Sequence, residues 1–429
     1  MRLSGPEAQR ITQRLTTRSE GLEPRRATFA RIRAAGSADD GLSDHVVATY
    51  YPGPSSYTGD DVVEVSAHGS PVVLRAIVSA AMAEGARLAE PGEFTLRAFL
   101  NGRIDLTQAE AVADLIDAVT PLQARTAFDQ LEGTLTRAIG ELDASLFDLI
   151  ARLEASIDFP DEGYHFIEPG TIACAIDAIT ARLTALLADT RRGRLIREGF
   201  TAAIVGKPNV GKSSLFNALV GASRAIVTEV PGTTRDLLTE AVDIEGFRVT
   251  LVDSAGLRPT TDAVEREGVE RARQAQSIAE VILVVLDRSA PLDPSDQEIL
   301  SCTGGRNRIV VANKADVDPA WTHIDAVPVS ARTGEGIDGL RRRLAAALDD
   351  GSTRDRPQIT NVRHAALLEQ ARVALERARA AAGSPERALP EEFVLADLQQ
   401  ARAVLEEITG RRAPDAMLDH IFSRFCVGK

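Results

Sequence analysis

The chain has 429 residues, of which 44% are apolar and 26% charged, and its formal net charge at pH 7 is -13. This profile is globular and excludes a fibrous or low-complexity protein, and the acidic balance means that a nucleic-acid partner needs a local basic patch. Three cysteines far apart in sequence indicate no disulfide framework and fit a reducing compartment. Without a signal region or an apolar run near the roughly 18 residues of a membrane span, we expect a cytoplasmic protein with no membrane contact.

The order of the predicted elements indicates several domains. Residues 61–65 are typical of a strand and residues 71–86 of a helix. From about residue 107 to 198 the pattern is helical, and Thr107 with Glu110 predicts a capping box at its start. Short apolar strands then alternate with helices, as in a parallel sheet, and long helices return after residue 350. We predict an N-terminal α+β domain (1–101), a helical domain in two halves (102–197 and 351–429) and an inserted α/β domain (198–350).

A phosphate-binding loop follows the predicted strand at 201–205. Residues 206–213 read Gly-Lys-Pro-Asn-Val-Gly-Lys-Ser, which matches G-x-x-x-x-G-K-S between a strand and a helix. Backbone N–H groups of such a loop surround phosphates, and the helix N-terminus adds partial positive charge. We expect Lys212 to bridge the β- and γ-phosphates and the Ser213 hydroxyl to bind Mg²⁺. The uncharged Asn209 in the loop is a candidate ligand for a monovalent cation.

A second motif, Asp253-Ser254-Ala255-Gly256, follows the predicted strand at 249–252. We expect Asp253 to reach the magnesium shell and Gly256 to let the backbone approach the γ-phosphate. Between the two motifs, the polar stretch 232–236 is typical of a switch loop, in which one threonine completes the magnesium site. In Ras-like proteins a glutamine after D-x-x-G orients the attacking water, but Leu257 cannot. The candidates for that role are Asp262, Glu265 and Glu267.

The third and fourth motifs predict a guanine pocket. Asn313-Lys314-Ala315-Asp316 follows the predicted strand at 309–312, and Ser330-Ala331 follows the strand at 327–329. The Asp316 carboxylate can accept two hydrogen bonds from guanine N1–H and the 2-amino group, and with adenine it would be buried unpaired. Asn313 and Lys314 would brace this loop and cover the base. Four motifs in this order predict a Ras-like P-loop GTPase domain with a parallel-rich sheet flanked by helices.

Further motifs outside this domain carry a family resemblance. They are Arg2-Leu3-Ser4-Gly5, the stretches 52–61, 91–95, 101–111 and 157–160, and the tail Phe425-Cys426-Val427-Gly428-Lys429. With them the whole chain resembles the MnmE (TrmE) family, GTPases that modify the wobble uridine of tRNA. The resemblance implies a folate-binding-like N-terminal domain that forms a two-fold homodimer. Members have a further strand before the Arg-x-Ser-Gly motif, so either the start codon is placed late, which we expect, or that strand is absent.

The resemblance also implies ligands for the site residues. The folate donor, 5-formyltetrahydrofolate or a related folate, would be held by Arg2, Glu64, Arg103 and Lys429. Mg²⁺ would be held by Ser213 and Thr234, and K⁺ by Asn209, Thr228, Val230 and Thr233. The implied GTP-binding set is Asn209, Val210, Gly211, Lys212, Ser213, Ser214, Thr228, Thr233, Thr234, Asp253, Ser254, Ala255, Gly256, Asn313, Lys314, Asp316, Ser330 and Ala331.

Catalytic roles and partners follow from the same resemblance. Glu265 would orient the hydrolytic water, Lys212 would act on the phosphates, and the Cys426 thiol would have a catalytic or positioning role near the folate, with docking of the tail as the alternative. The partners would be tRNA and a FAD-containing MnmG (GidA)-type subunit in a heterotetramer. Together they would add a carboxymethylaminomethyl or aminomethyl group to C5 of uridine 34.

Two alternatives stay open. The GTPase motifs also fit a GTP-switched assembly or ribosome-binding factor without covalent chemistry, which would not need the tail or the folate-type motifs. The arginine clusters at 341–343 and 191–197 are expected on solvated faces, with contact to tRNA phosphates as the alternative. Of the 49 basic residues only four are lysines, and for Lys207 we expect no particular role, because its place in the loop does not require an ammonium.

Overall fold

The computed structural model describes the chain except residues 19, 34–42, 159–168, 223–237, 254–278, 323–324, 348–356, 383–390, 424, 426–427 and 429. The chain divides into two compact units. One comprises Met1–Ala113, Leu131–Ile139 and Leu405–Lys429, and the other comprises Asp114–Gln130 and Gly140–Val404. The four-segment domain division stays a prediction.

The first unit contains an antiparallel sheet of order β1-β4-β3-β2. Its strands are β1 (Arg2–Ser4), β2 (Thr28–Arg33), β3 (Ser43–Tyr51) and β4 (Val62–Ser66). Helices α1 (Ala8–Leu15) and α2 (Pro71–Ala83) pack on the apolar side of this sheet, against residues such as Ile32 and Val63. The predicted strand at 61–65 and helix at 71–86 are thus present with slightly shifted ends.

A smaller helical cluster completes this unit. Helices α3 (Glu93–Leu100), α4 (Leu106–Asp117) and α14 (Asp415–Phe422) meet around the buried residues Leu106, Ala109, Phe422 and Phe425. The predicted capping box at Thr107 and Glu110 is wrong by two residues. Asp105 caps α4 instead, since the Gln108 N–H donates to Asp105 Oδ1 (2.8 Å) and Gln108 Oε1 accepts from the Asp105 N–H (3.1 Å).

Six helices form the bundle part of the chain. Three of them, α5, α6 and α13, extend beyond the second unit at one end. They are α5 (Pro121–Leu131), α6 (Thr134–Asp158), α7 (Pro169–Leu187), α8 (Thr190–Glu198), α12 (Val362–Ala382) and α13 (Glu391–Thr409). Their buried side chains recur at helical spacing, as with Leu142, Leu146, Leu149 and Leu153 on α6. The predicted helical composition of these segments is confirmed.

One stretch of the described helices, Gly170–Glu198, is long enough to span a membrane, and an 18-residue window in it has a mean hydropathy of 1.6, with 22% of that window buried. The sequence expectation missed it, because two charged residues interrupt the apolar run. Those residues form ion pairs with neighbouring helices: Asp177 with Arg379 (2.8 Å) and Arg182 with Glu141 (2.6 Å). The apolar side chains Ile172, Ile176 and Leu183 of this stretch are buried.

The second unit also contains a six-stranded sheet of order β10-β9-β8-β5-β7-β6. Its strands are β5 (Phe200–Val205), β6 (Leu238–Ile244), β7 (Phe247–Asp253), β8 (Val281–Asp287), β9 (Arg308–Asn313) and β10 (Ala326–Pro328). All neighbours are parallel except β6, which pairs antiparallel with β7. Helices α9 (Lys212–Ala222), α10 (Pro294–Cys302) and α11 (Ile337–Ala346) flank it. The predicted parallel-rich sheet with flanking helices is confirmed.

Successive side chains of β5 lie on opposite faces of this sheet, and both faces pack against apolar residues. Ala202 and Ile204 belong to one apolar cluster, whereas Ala203 and Val205 belong to the other. A strand that is buried on both faces is a continuous apolar run, which is the pattern that the sequence shows here.

Close packing at Gly193 of α8 generates a testable prediction. A Cβ there would lie 1.8 Å from the carbonyl oxygen of Ile359, whereas a Cβ at Gly140 of α6 would meet nothing within 4 Å. Gly193→Ala should lower the free energy of unfolding by about 1–3 kcal/mol through overpacking. Gly140→Ala, the matched control, should be neutral or stabilising by up to about 1 kcal/mol. Denaturant unfolding measures both, and equal effects of the two substitutions would show that the Gly193 contact does not limit packing.

Candidate functional site

The carboxyl ends of the parallel strands place the sequence motifs on one edge of the sheet. Strands β5, β7, β8 and β9 end at Val205, Asp253, Asp287 and Asn313. The register pairs Ile204 with Asp253 and Asp287 with Asn313. Loops at this edge of an open α/β sheet form its usual ligand site.

The phosphate loop needs glycine at both of its ends. Gly206 has φ +154°, and a Cβ there would lie 2.4 Å from the carbonyl oxygen of Val285. Gly211 has φ +94°, and its Cβ would lie 2.2 Å from Asn313 Nδ2. L-residues rarely adopt such backbone angles, and both sites lack the room for a side chain. The loop therefore runs close to the two neighbouring strand ends.

Lys212 begins helix α9 directly after this loop. Its side chain is buried, and Nζ donates a hydrogen bond to the carbonyl oxygen of Lys207 (2.6 Å). Ser213 and Ser214 are exposed in the first helical turn. The first N–H groups of a helix have no partner within the helix and favour an anion. This end of α9 thus combines an ammonium, two hydroxyls and the backbone N–H groups of a helix N-terminus, a set suited to phosphates.

Asn313 joins the phosphate loop to the loop that follows β10. Its buried amide Nδ2 donates to the carbonyl oxygen of Val210 (2.8 Å), and Oδ1 accepts from the Ala331 N–H (3.1 Å). Both polar atoms of the Asn313 side chain form hydrogen bonds with backbone groups of other parts of the chain, and Val210 is 103 residues away in sequence. The predicted bracing role of Asn313 corresponds to these contacts.

Lys314 is held by the end of the neighbouring strand. It adopts φ 65°, and its Nζ lies 2.6 Å from Asp287 Oδ2. Burial alone would raise the pKa of the Asp287 carboxyl. Hydrogen bonds from Lys314 and Ser289 together have the larger effect, so this pKa is lowered overall. Trp321 Nε1 donates to the carbonyl oxygen of Asp287 (2.7 Å). The ammonium therefore has a fixed position at this edge.

The Asp316 carboxylate stays ionised in a polar setting. The Ser330 hydroxyl donates to Oδ1 (2.6 Å), and the Arg332 guanidinium lies 2.6 Å from Oδ2. These contacts, the Ser330 hydrogen bond first, lower the pKa of Asp316. A carboxylate that is charged at neutral pH accepts hydrogen bonds only, which suits it to a ligand edge that presents two N–H donors. The structure brings Asp316, Ser330 and Ala331 together as predicted.

Several predicted site residues lie outside the described part of the chain. They are Thr228, Val230, Thr233, Thr234, Ser254, Ala255, Gly256, Glu265, Cys426 and Lys429, together with Leu257 and the alternative candidates Asp262 and Glu267. For Asp253, the structure gives the backbone position at the end of β7 and its pairing with Leu238.

In the first unit, Arg2 and Glu64 face each other across strands β1 and β4. Arg2 Nη2 lies 2.7 Å from Glu64 Oε1, and the guanidinium lies over the rings of Tyr57 (5.2 Å) and Phe94 (5.6 Å). The sequence predicted both residues for one site, and the structure brings them together.

Arg2 also lines a cavity of about 420 Å³ within this unit. Its walls combine apolar side chains with ionic groups, among them Ile11, Phe94, Arg87, Glu93 and Arg97. The hydrogen bond from Arg87, aided by the Glu90 N–H and Arg97, lowers the pKa of Glu93 to about 2. Small-molecule pockets commonly enclose about 300–1,000 Å³, and this one offers both apolar and cationic contacts.

Arg103 is placed elsewhere in the unit. It lines a different cavity, of about 430 Å³, with Asp105, Gln108, Thr409 and Arg411 among the neighbours. The four residues predicted for the folate are therefore divided: Arg2 and Glu64 are adjacent, Arg103 lines the second cavity, and Lys429 lies outside the described residues. Gly428, its neighbour, lines the first cavity.

Comparison with known proteins relates both units to one family. Family models described as the MnmE helical domain and the GTP-binding protein TrmE N-terminus match residues 106–426 and 1–103. The tRNA modification GTPase MnmE of Koribacter versatilis is 44% identical over 438 residues, covering 100% of this chain and 95% of that protein. The chain belongs to the MnmE family. The same-named proteins of Symbiobacterium thermophilum and Azoarcus sp. are 42% and 43% identical, each over 100% of this chain and over 96% and 94% of their own lengths.

For this member of the MnmE family, sequence reasoning missed three residues of the nucleotide edge. They are Asp287, Trp321 and Arg332, which contact Lys314, Asp287 and Asp316 respectively. Asp287 had a signal, because it directly follows the apolar run 281–286 as Asp253 follows its own strand. Trp321 and Arg332 lie in loops without a periodic pattern, and only the fold relates them to the site.

Proposed function

We propose that the chain hydrolyses GTP and acts in modification of the tRNA wobble uridine. The observation that carries this proposal is the full-length similarity to proteins named tRNA modification GTPase MnmE. In the proposed reaction, a cytoplasmic homodimer works with a FAD-containing MnmG-type subunit in a heterotetramer. The complex adds a carboxymethylaminomethyl or aminomethyl group to C5 of uridine 34, using a one-carbon unit from a formyltetrahydrofolate.

The geometry of the sheet edge supports GTP as the nucleotide. The loop around Gly211 runs too close to Asn313 for any side chain, and glycine-rich loops of this kind present their backbone N–H groups to phosphates. Lys212 is next to that loop, and Asp316 offers ionised acceptors for the guanine edge. In this proposal the backbone, Lys212 and Ser214 hold the phosphates, while Asn313, Lys314, Asp316, Ser330 and Ala331 form the base pocket.

The proposed ions fit the hydroxyl and amide oxygens near the loop. Ser213, exposed in the first turn of α9, and Thr234 would hold Mg²⁺, and Asp253, at the end of β7, would reach the magnesium shell. Asn209 is exposed at the turn of the phosphate loop with φ 64°, and with Thr228, Val230 and Thr233 it would hold K⁺. When bound, the two cations neutralise charge that develops on the phosphates. The water-orienting role of Glu265 rests on the family resemblance.

The cavity beside Arg2 suits a folate. Arg2, Arg87 and Arg97 line it together with apolar side chains, which matches a ligand that combines flat rings with carboxylates. Two carboxylates, Glu7 and Glu93, also line the cavity. The three arginines outnumber them, so these five side chains carry a net positive charge. Arg2, which lines the cavity, would contact this ligand, and Glu64, which is not a lining residue, would hold the Arg2 guanidinium. Lys429 would contact the ligand through the tail that brings Gly428 to the cavity. Arg103 and the Cys426 thiol remain proposed contributors from the family resemblance.

The rival function is a GTP-switched assembly or ribosome-binding factor. Both functions use the same nucleotide edge. The cavity with its Arg2–Glu64 pair favours modification, because a switch protein needs no small-molecule site in a separate unit. The match of residues 1–103 to the TrmE N-terminus supports the same choice.

Asp316→Asn tests the guanine pocket. An asparagine amide cannot accept from both guanine donors, and each hydrogen bond to a charged group contributes about 1.5–3 kcal/mol. We expect GTP affinity to fall roughly 100-fold or more, while xanthosine triphosphate, which presents a carbonyl in place of the 2-amino group, gains affinity. Competition binding with GTP, XTP and ATP measures this. Unchanged GTP affinity would remove Asp316 from base recognition.

Nucleoside mass spectrometry tests the pathway. Deletion of the gene should remove the 5-substituted wobble uridine, and the wild-type gene should restore it. Arg2→Ala should fail to restore it while the purified variant still hydrolyses GTP, because the folate cavity and the nucleotide edge belong to different units. Arg14→Ala, which breaks an exposed ion pair with Glu84 (3.0 Å) in the same unit, is the matched control and should restore it fully. An unchanged nucleoside profile on deletion would favour the assembly-factor function.

A further inference from the structure

Lys207 occupies an ion-pair site that its place in the sequence does not predict. Its Nζ lies 2.5 Å from Asp293 Oδ2 and 2.8 Å from Asp296 Oδ2. The partners are 86 and 89 residues further along the chain, at the N-terminus of helix α10. One ammonium therefore links the phosphate loop to a helix on the flank of the sheet.

The two aspartates form the capping box of α10. The Asp296 N–H donates to Asp293 Oδ1 (3.1 Å), and the Asp293 N–H donates to Asp296 Oδ2 (3.2 Å). The Asp296 side chain is only 4% exposed, and its Oδ1 is buried without a hydrogen-bond partner among the described residues. Two carboxylates this close repel each other, and a buried charge without a counterion is strongly unfavourable. Lys207 is the cation that compensates them.

The two carboxylates also stabilise the charged form of Lys207. Burial lowers the pKa of Lys207, but the hydrogen bonds from its ammonium to Asp293 and Asp296 outweigh burial and raise it overall. Asp293 responds in the opposite direction, because the Lys207 hydrogen bond lowers its pKa. Lys207 and Asp293 thus stay charged at neutral pH.

The backbone of the same residue contacts the phosphate-binding lysine. The Lys207 carbonyl oxygen accepts the hydrogen bond from Lys212 Nζ. Fixing the Lys207 side chain to α10 therefore fixes the carbonyl that orients the Lys212 ammonium. The Lys207 side chain thus contacts the cap of α10, and its carbonyl oxygen contacts Lys212.

We propose that Lys207 is a positioning residue for nucleotide binding: its ammonium ties the phosphate loop to the Asp293–Asp296 cap, and its carbonyl orients Lys212 toward the phosphates. This inference rests on the proposed binding of GTP at the loop.

The test compares full-length variants by stopped-flow binding of fluorescent GDP and by GTPase kinetics. Lys207→Met keeps the aliphatic stem and removes the charge, so we expect GDP to bind at least about 10-fold more weakly, mainly through faster dissociation. Lys207→Arg keeps the charge and should restore much of the affinity. Arg182→Met, which removes an ion pair with Glu141 in the bundle (2.6 Å), is the matched control and should bind GDP like wild type.

A double-mutant cycle separates positioning from general destabilisation. Asp293→Asn keeps a capping oxygen and removes one carboxylate charge. In the double variant Lys207→Met/Asp293→Asn, the loss of affinity should be clearly smaller than the sum of the single losses, because both changes break the same link. Thermal unfolding of each variant is measured in parallel, and binding is measured well below the lowest Tm.

The outcomes are distinct. Weak GDP binding by Lys207→Met with rescue by Lys207→Arg supports the proposal. Wild-type affinity in Lys207→Met, even with a lowered Tm, would overturn it and leave the ion pair a structural one. Failure of the wild-type chain to bind GDP would instead contradict the proposed GTP site itself.

Discussion

The nucleotide edge of this protein depends on one buried amide. Asn313 donates to the phosphate loop at Val210 and accepts from the base-side loop at Ala331. A nucleotide needs its phosphates and its base held at a fixed separation, and this side chain ties the two loops directly. The link also requires glycine at position 211, because any side chain at Gly211 would displace the Asn313 amide. Removing the amide leaves the buried carbonyl of Val210 and the half-buried N–H of Ala331 unpaired, at a cost of about 1–3 kcal/mol for the buried group.

Around this amide, carboxylates hold the cations of an acidic protein in place. Lys314 is fixed by Asp287, and Lys207 by the cap of α10. Lys212 donates a hydrogen bond to the backbone carbonyl oxygen of Lys207, next to the proposed phosphate site. Three of the four lysines of the chain lie at this edge, which shows why the local arrangement matters more than the net charge of -13.

The sequence predicted what depends on local pattern and strand order. Strands β5, β7 and β9 were found as apolar runs, and each ends in a motif, so their parallel pairing gathers Asp253, Asn313 and the phosphate loop at one edge. Asp316 was identified because its motif implies base recognition. The cap of α4 was misplaced by two residues because Asp105 and Thr107 both satisfy the local capping pattern, and the surrounding packing decides between them.

The sequence did not predict contacts between residues that are far apart along the chain. The link from Lys207 to Asp293 spans 86 residues, and nothing local distinguishes that lysine from a solvated one. The Arg332 contact with Asp316 likewise depends on how the loop after β10 folds back. The separation of Arg103 from Arg2 into two cavities also follows only from the packing of α3, α4 and the C-terminal segment.

Hydrogen–deuterium exchange of Asn313→Ala against wild type tests most directly whether one amide couples the two loops. Peptides covering residues 206–213 and 329–334 should both exchange faster in the variant, by a similar factor. Asn307→Ala, which removes one exposed hydrogen bond to the Ala347 carbonyl (2.8 Å), should leave both peptides unchanged. Faster exchange in only one of the two loops, or in neither, would contradict the account.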